Sequence, residues 1–153
     1  MRENFRSLMK SVNRVIYVFE EIQKSLGDKG KLGWLLYMLD DDQAHTQKQL
    51  SKDWMIPRST LNAAVKIAQE EGYIELQKVP NTRRELVIVL TDKGRNEAKN
   101  ILTPYVEMED KALKETSEKY SAHFVEVMDY FSKQLELEVD GGIRKLSNAN
   151  SEN

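Results

Sequence analysis

Arg58, Asn62 and Lys66 recur at four-residue intervals, with Ser59 and Thr60 beside the first of them. A guanidinium can grip O6 and N7 of guanine through two parallel hydrogen bonds, and a carboxamide can do the same for N6 and N7 of adenine. Hydroxyls near a helix start suit phosphate oxygens or a pyrimidine edge. At this spacing Arg58, Ser59, Asn62, Ala63 and Lys66 share one face of a helix, while Leu61, Ala64, Val65 and Ala68 form an apolar stripe on the other. Further along, Lys78, Arg83 and Arg84 gather around Pro80, Asn81 and Thr82, with no acidic residue in that stretch before Glu85. A narrow minor groove concentrates negative potential and attracts guanidinium groups. The plain alternatives are a solvated helix face and a solubilising hairpin tip.

Little else in the chain could do chemistry. It has no cysteine, which removes disulfides, thiolate catalysis and thiol-based redox sensing. His45 and His123 are its imidazoles; with Asp40, Asp41 and Asp42 they fall short of the converging donors a metal needs, and the acids read as solvated helix-end residues. No glycine-rich phosphate loop or nucleophile elbow is present, so neither a cofactor nor an enzymatic activity is expected. No apolar run approaches the roughly 20 residues of a membrane span, and the N-terminus is no signal peptide. A cytoplasmic protein is expected.

The formal net charge of −2 at first argues against a nucleic-acid partner, but its distribution matters more. From Gln47 to Lys99 there are ten Lys/Arg against seven Asp/Glu, whereas the remainder holds 13 against 18. The basic excess coincides with the two groups of candidate contacts.

The elements that must position these residues follow from periodicity and turn chemistry. Phe5, Leu8, Met9, Val12, Ile16, Phe19 and Leu26 predict a long amphipathic helix that closes near Gly27–Gly30. Leu32–Leu39 predicts a second, ended by Asp40–Asp42. A short polar helix spans Thr46–Trp54, Met55-Ile56 forms a turn, and a helix opens at Pro57-Arg58 and stops at Glu71-Gly72. Strand-like runs at Tyr73–Val79 and Leu86–Leu90 flank the basic turn. Thr91 is a plausible N-cap for a helix starting at Asp92, which Pro104 should kink. Ser117–Ser121 breaks the pattern. A last helix carries Phe124, Val127, Met128, Phe131 and Leu135 and should end at Gly141-Gly142, leaving a polar tail expected to be disordered. The fold class is therefore mostly α with a small β-wing: a winged helix-turn-helix over residues 31–99, flanked by helical regions at 1–30 and 100–140, with a tail at 141–153.

Thr46–Leu50, Ser59-Thr60, Glu71-Gly72-Tyr73-Ile74 and Leu90-Thr91-Asp92-Lys93-Gly94, in that order and at compatible spacing, resemble the MarR family of bacterial transcription factors. The resemblance covers about Leu32 to Lys99. It implies a homodimer built from the first and last two helices, a second motif helix in the major groove, and a wing reaching toward the minor groove. It also implies DNA contacts from Arg58, Ser59, Thr60, Asn62, Ala63 and Lys66 on that helix, and from Lys78, Arg83 and Arg84 on the wing. Two features depart from the family pattern. Thr82 stands where the wing often has an Asp, although Arg84 matches the Arg that follows it. Ala63 and Ile67 stand where relatives are frequently basic, so affinity should lean on the wing, Arg58 and Lys66.

Relatives often bind phenolic or other aromatic effectors between the dimer helices and the reading head. Tyr17, Trp34, Tyr37 and Met38 are the candidates for such a pocket here, although aromatic and Met residues at helical spacing are more often core. The overall expectation is a homodimeric repressor on a near-palindromic operator of double-stranded DNA, released by a small aromatic or amphipathic effector if it has one, with no membrane partner. The competing readings are a winged-helix module that binds protein, and a DNA-binding architectural or replication protein without a regulatory role.

Overall fold

The apolar residues of the first half of the chain recur every three or four positions, and the computed structural model, which describes residues 1–41, 43–78 and 86–151, folds them as helices. α1 (Arg2–Ser25) closes through the bond from the Leu26 N–H to the Ile22 carbonyl, 3.2 Å, and a 3-10 turn at Gly27–Lys29 leads into α2 (Gly30–Leu39). α2 is apolar nearly all round. It therefore becomes the central helix of the core, burying Leu32, Leu35, Leu36, Met38 and Leu39. α1, by contrast, buries none of its residues.

α3 (Gln47–Asp53) and α4 (Arg58–Glu70) contribute Leu50, Leu61, Val65 and Ala68 to the same core. The sheet adds Ile74, Ile88 and Leu90. It has three strands rather than the expected two. β1 (His45–Thr46) pairs antiparallel with β3 (Leu86–Leu90), which pairs with β2 (Ile74–Lys78), in the order β1-β3-β2. A two-residue polar strand carries no alternation, so β1 has no sequence signature. Its partner β3 supplies the apolar residues.

α5 (Asp92–Lys119) buries Gly94, Ala98, Ile101 and Leu102 at helical spacing and continues through Pro104. The chain divides into two units at Val106, so residues 1–30 share a unit with the head, together with the first part of α5. The second unit holds the rest of α5 and α6 (Phe124–Ser151). The break expected at Ser117–Ser121 is shorter and later, with α5 reaching Lys119 and α6 starting at Phe124. α6 also runs on through Gly141 and Gly142 to Ser151, where the sequence suggested an end. Neither glycine takes a positive φ. A helical glycine costs about 1 kcal/mol relative to alanine, which weakens a long helix without ending it. Among the described residues no helix is long and apolar enough to cross a membrane.

Candidate nucleic-acid interface

The position of α4 is set by how α3 starts and stops. Thr46 caps α3: its Oγ1 accepts from the Gln49 N–H at 3.1 Å, while the Thr46 N–H donates to Gln49 Oε1 at 2.9 Å. This reciprocal capping box satisfies two backbone donors at once. At the other end, Met55 adopts φ +50°. That left-handed residue lets the Ile56 N–H reach the Ser51 carbonyl at 3.1 Å and the Met55 N–H reach the Lys52 carbonyl at 3.4 Å, the paired bonds of a Schellman stop. Ser51 Oγ adds a bond to the Ile56 carbonyl, 2.7 Å. Pro57 then fixes the entry to α4, its carbonyl accepting from Thr60 and Leu61. The turn is short because the stop of α3 leads directly into the Pro57 entry to α4.

α4 turns Leu61, Ala64, Val65 and Ala68 inward and leaves Arg58, Ser59, Thr60, Asn62, Ala63 and Lys66 exposed. The expected division of faces is therefore present. Lys66 Nζ lies 3.8 Å from Glu70 Oε1, an exposed pair one turn along. Ile67 is also outside, 45% exposed.

The end of α4 is tied to the start of α5. Gly72 takes φ +72° just past the helix, a conformation that costs a residue with a Cβ. Thr91 Oγ1 donates to the Gly72 carbonyl at 2.8 Å and accepts from the Gly94 N–H at 3.0 Å, while the Thr91 N–H donates to the Tyr73 carbonyl at 3.0 Å. Thr91 is thus the helix cap the sequence suggested, and a brace as well. A Cβ on Gly94 would fall 1.9 Å from the Tyr73 carbonyl oxygen, so only glycine permits this approach. Lys93 Nζ donates to the Glu71 carbonyl and sits 4.6 Å from the Tyr73 ring centre. Arg95 bonds the Leu90 carbonyl at 3.0 Å and Asp92 at 2.9 Å. These bonds give the Leu90–Gly94 phrase its physical basis.

On the wing, Lys78 is exposed at the end of β2, paired in register with Leu86. Thr82, Arg83 and Arg84 lie outside the described residues. Before the motif, His45 Nε2 faces both oxygens of Asp41 at 2.8 and 2.9 Å. That hydrogen bond, helped by the Gln43 N–H, holds the Asp41 carboxyl below the usual carboxylate range. Among the described residues no three His, Asp or Glu side chains gather as a metal site requires.

Of the residues proposed for an effector pocket, Trp34 and Tyr37 stack at 5.6 Å with an interplanar angle of 5°. Met38 is buried in the core, and Tyr17 is 57% exposed on α1. Sequence reasoning missed Phe19 and Trp54 as partners of the stacked pair. Trp54 meets both rings edge-on, at 5.4 and 5.8 Å, and Phe19 meets them at 5.7 and 6.2 Å. These contacts join three elements far apart in sequence, which no local pattern announces.

Residues 33–85 match the model of the MarR family. No curated protein matches the chain. Among solved structures, a MarR family regulator from Neisseria meningitidis is similar with a TM-score of 0.73 and 23% identity, over 91% of this chain and 98% of that one. A MarR family transcriptional regulator from Listeria monocytogenes, complexed with 26mer DNA, gives a TM-score of 0.62 and 22% identity, over 87% of this chain and 89% of that one. NadR in complex with 4-hydroxyphenylacetate gives 0.62 and 15% identity, over 84% and 89%. The match over residues 33–85 and the likeness of fold together make this chain a winged-helix protein similar to those of the MarR family.

Proposed function

We propose that this chain is a sequence-specific DNA-binding transcription regulator, acting as a homodimer that represses by occupying a near-palindromic operator. The observation that carries the reading is the outer face of α4, where Arg58, Ser59, Asn62 and Lys66 stand clear of the core on a helix presented by a capped turn. Such a helix can enter a major groove while Lys78, Arg83 and Arg84 neutralise phosphates beside it. A structurally similar relative complexed with DNA supports this reading. Nothing in it calls for catalysis.

Selection of bound duplexes from a random pool tests the proposal directly. Enrichment of a two-fold-related site is expected, with half-sites about one helical turn apart. Arg58→Ala or Asn62→Ala should then cost about 1–3 kcal/mol on that site and relax preference at particular base pairs. Equal weakening on random DNA would remove the base-reading role. Failure to bind any duplex at low salt would favour a protein-binding module instead.

A small aromatic effector is a second part of the reading. The Phe19–Trp34–Tyr37–Trp54 cluster links α1 and α2 to the last residue before the motif turn, and NadR is a similar fold complexed with an aromatic acid. Both tryptophans of the chain lie in this cluster, so their fluorescence is the probe. Saturable quenching by 4-hydroxyphenylacetate or a related phenolic acid, with weakened operator binding, is expected. A linear, non-saturating response across such ligands argues against a site there.

A further inference from the structure

The outer face of α4 carries an apolar strip beside its polar groups. Thr60, Ala63 and Ile67 succeed one another at helical spacing and all are exposed. Isolated exposed apolar residues are ordinary on any surface. These three are not scattered. They run alongside Ser59, Asn62 and Lys66 and present the Thr60 γ-methyl, the Ala63 β-methyl and the branched Ile67 side chain in a row. At 1.5 Å per residue the row spans about 10 Å, close to three base-pair steps of about 3.4 Å. The apolar group that a base pair offers in the major groove is the C5-methyl of thymine. A lysine or arginine at these positions could bond guanine or a phosphate; methyl-bearing side chains can do neither and offer only apolar contact.

We propose that Thr60, Ala63 and Ile67 are specificity-determining residues that read thymine methyl groups, so that each half-site presents thymines to this edge of α4. The inference rests on the DNA-reading function proposed above and adds the identity of the bases read. Ile67 is the strongest of the three because its side chain buries the most apolar area on contact. Asn62 and Lys66 then flank the methyl-reading strip with polar contacts.

The test uses the full-length chain and the operator obtained from the random pool, with binding followed by fluorescence anisotropy. Each thymine of one half-site is replaced in turn by deoxyuridine, which removes the methyl and leaves every hydrogen-bonding group. At a thymine facing the strip, affinity should fall about fourfold, the worth of one buried methylene-sized group. In Ile67→Ala at least one of these penalties should vanish, since the methyl and the side chain form one coupled pair. An operator without thymine in its half-sites overturns the inference. So does full tolerance of deoxyuridine, or a set of penalties unchanged in Ile67→Ala. In each of those cases the protein still binds DNA selectively and the DNA-reading function stands. Absence of any selected duplex defeats that function and this inference with it, and is distinguished by the wild-type selection alone.

Discussion

Met55 holds a left-handed conformation because the Schellman stop of α3 needs one there, and a side chain with a Cβ is strained in it. Met55→Gly should raise stability by about 1 kcal/mol, read from the midpoint of denaturant unfolding. A lower midpoint would mean that the exposed Met55 side chain contributes more than its backbone costs. Gly94 is the opposite case. Its missing Cβ leaves space for the Tyr73 carbonyl, so Gly94→Ala should cost more than about 3 kcal/mol and lower the melting temperature sharply. Asp41 brings a pH dependence. Its carboxyl is held low by His45, so its folded value lies below its unfolded one. Its contribution to stability is present above the ordinary carboxylate range and is lost as pH falls through the depressed value. Because Asp41 is about half exposed, the effect is small, and Asp41→Asn should make acid unfolding slightly less steep than in the wild type.

Elements differed in how plainly the sequence displayed them. The inward stripe of α4 was readable because Leu61, Ala64, Val65 and Ala68 keep a 3.6-residue period, with Asn62 and Lys66 set between them. The start of α3 carried a signature that the expected Thr46–Trp54 helix left unused: Thr46 and Gln49 stand at capping-box spacing, and Thr46 is the cap. Thr46→Ala should therefore cost about 1 kcal/mol, measurable by chemical denaturation. Gln49→Ala should remove only the return half of the box and cost less. β1 was not readable, being two polar residues recruited by the edge of β3. The strain at Met55 was hidden, since methionine has no preference that marks a left-handed position. The aromatic partners Phe19 and Trp54 were hidden as well, because their meeting with Trp34 and Tyr37 is decided by tertiary packing. Gly141-Gly142 misled, because a glycine pair lowers helix stability without determining where a helix ends.

At the scale of the whole molecule, the informative fact is how much apolar surface the chain leaves outside. α1 buries nothing and exposes Val15, Ile16 and Val18; α6 exposes Val127, Tyr130 and Leu137 among others. Exposed apolar residues on these helices fit the proposed homodimer, which would cover them. A two-fold homodimer of about 36 kDa, twice the 17.8 kDa chain, should appear in sedimentation. A stable monomer at micromolar concentration would remove the basis for a symmetric operator. Charge acts at this scale too. With a net charge of −2 overall but a basic excess around the motif, binding should weaken steeply with added salt.

The Thr91 brace has one more effect. Because Thr91 bonds both Gly72 and Gly94, the root of the hairpin is anchored independently of whatever residues connect its strands. The base of the strand pair is thereby fixed at the end where Ile74 faces Leu90. Thr91, Gly72 and Gly94 thus form a fixed handle at the root of the two strands.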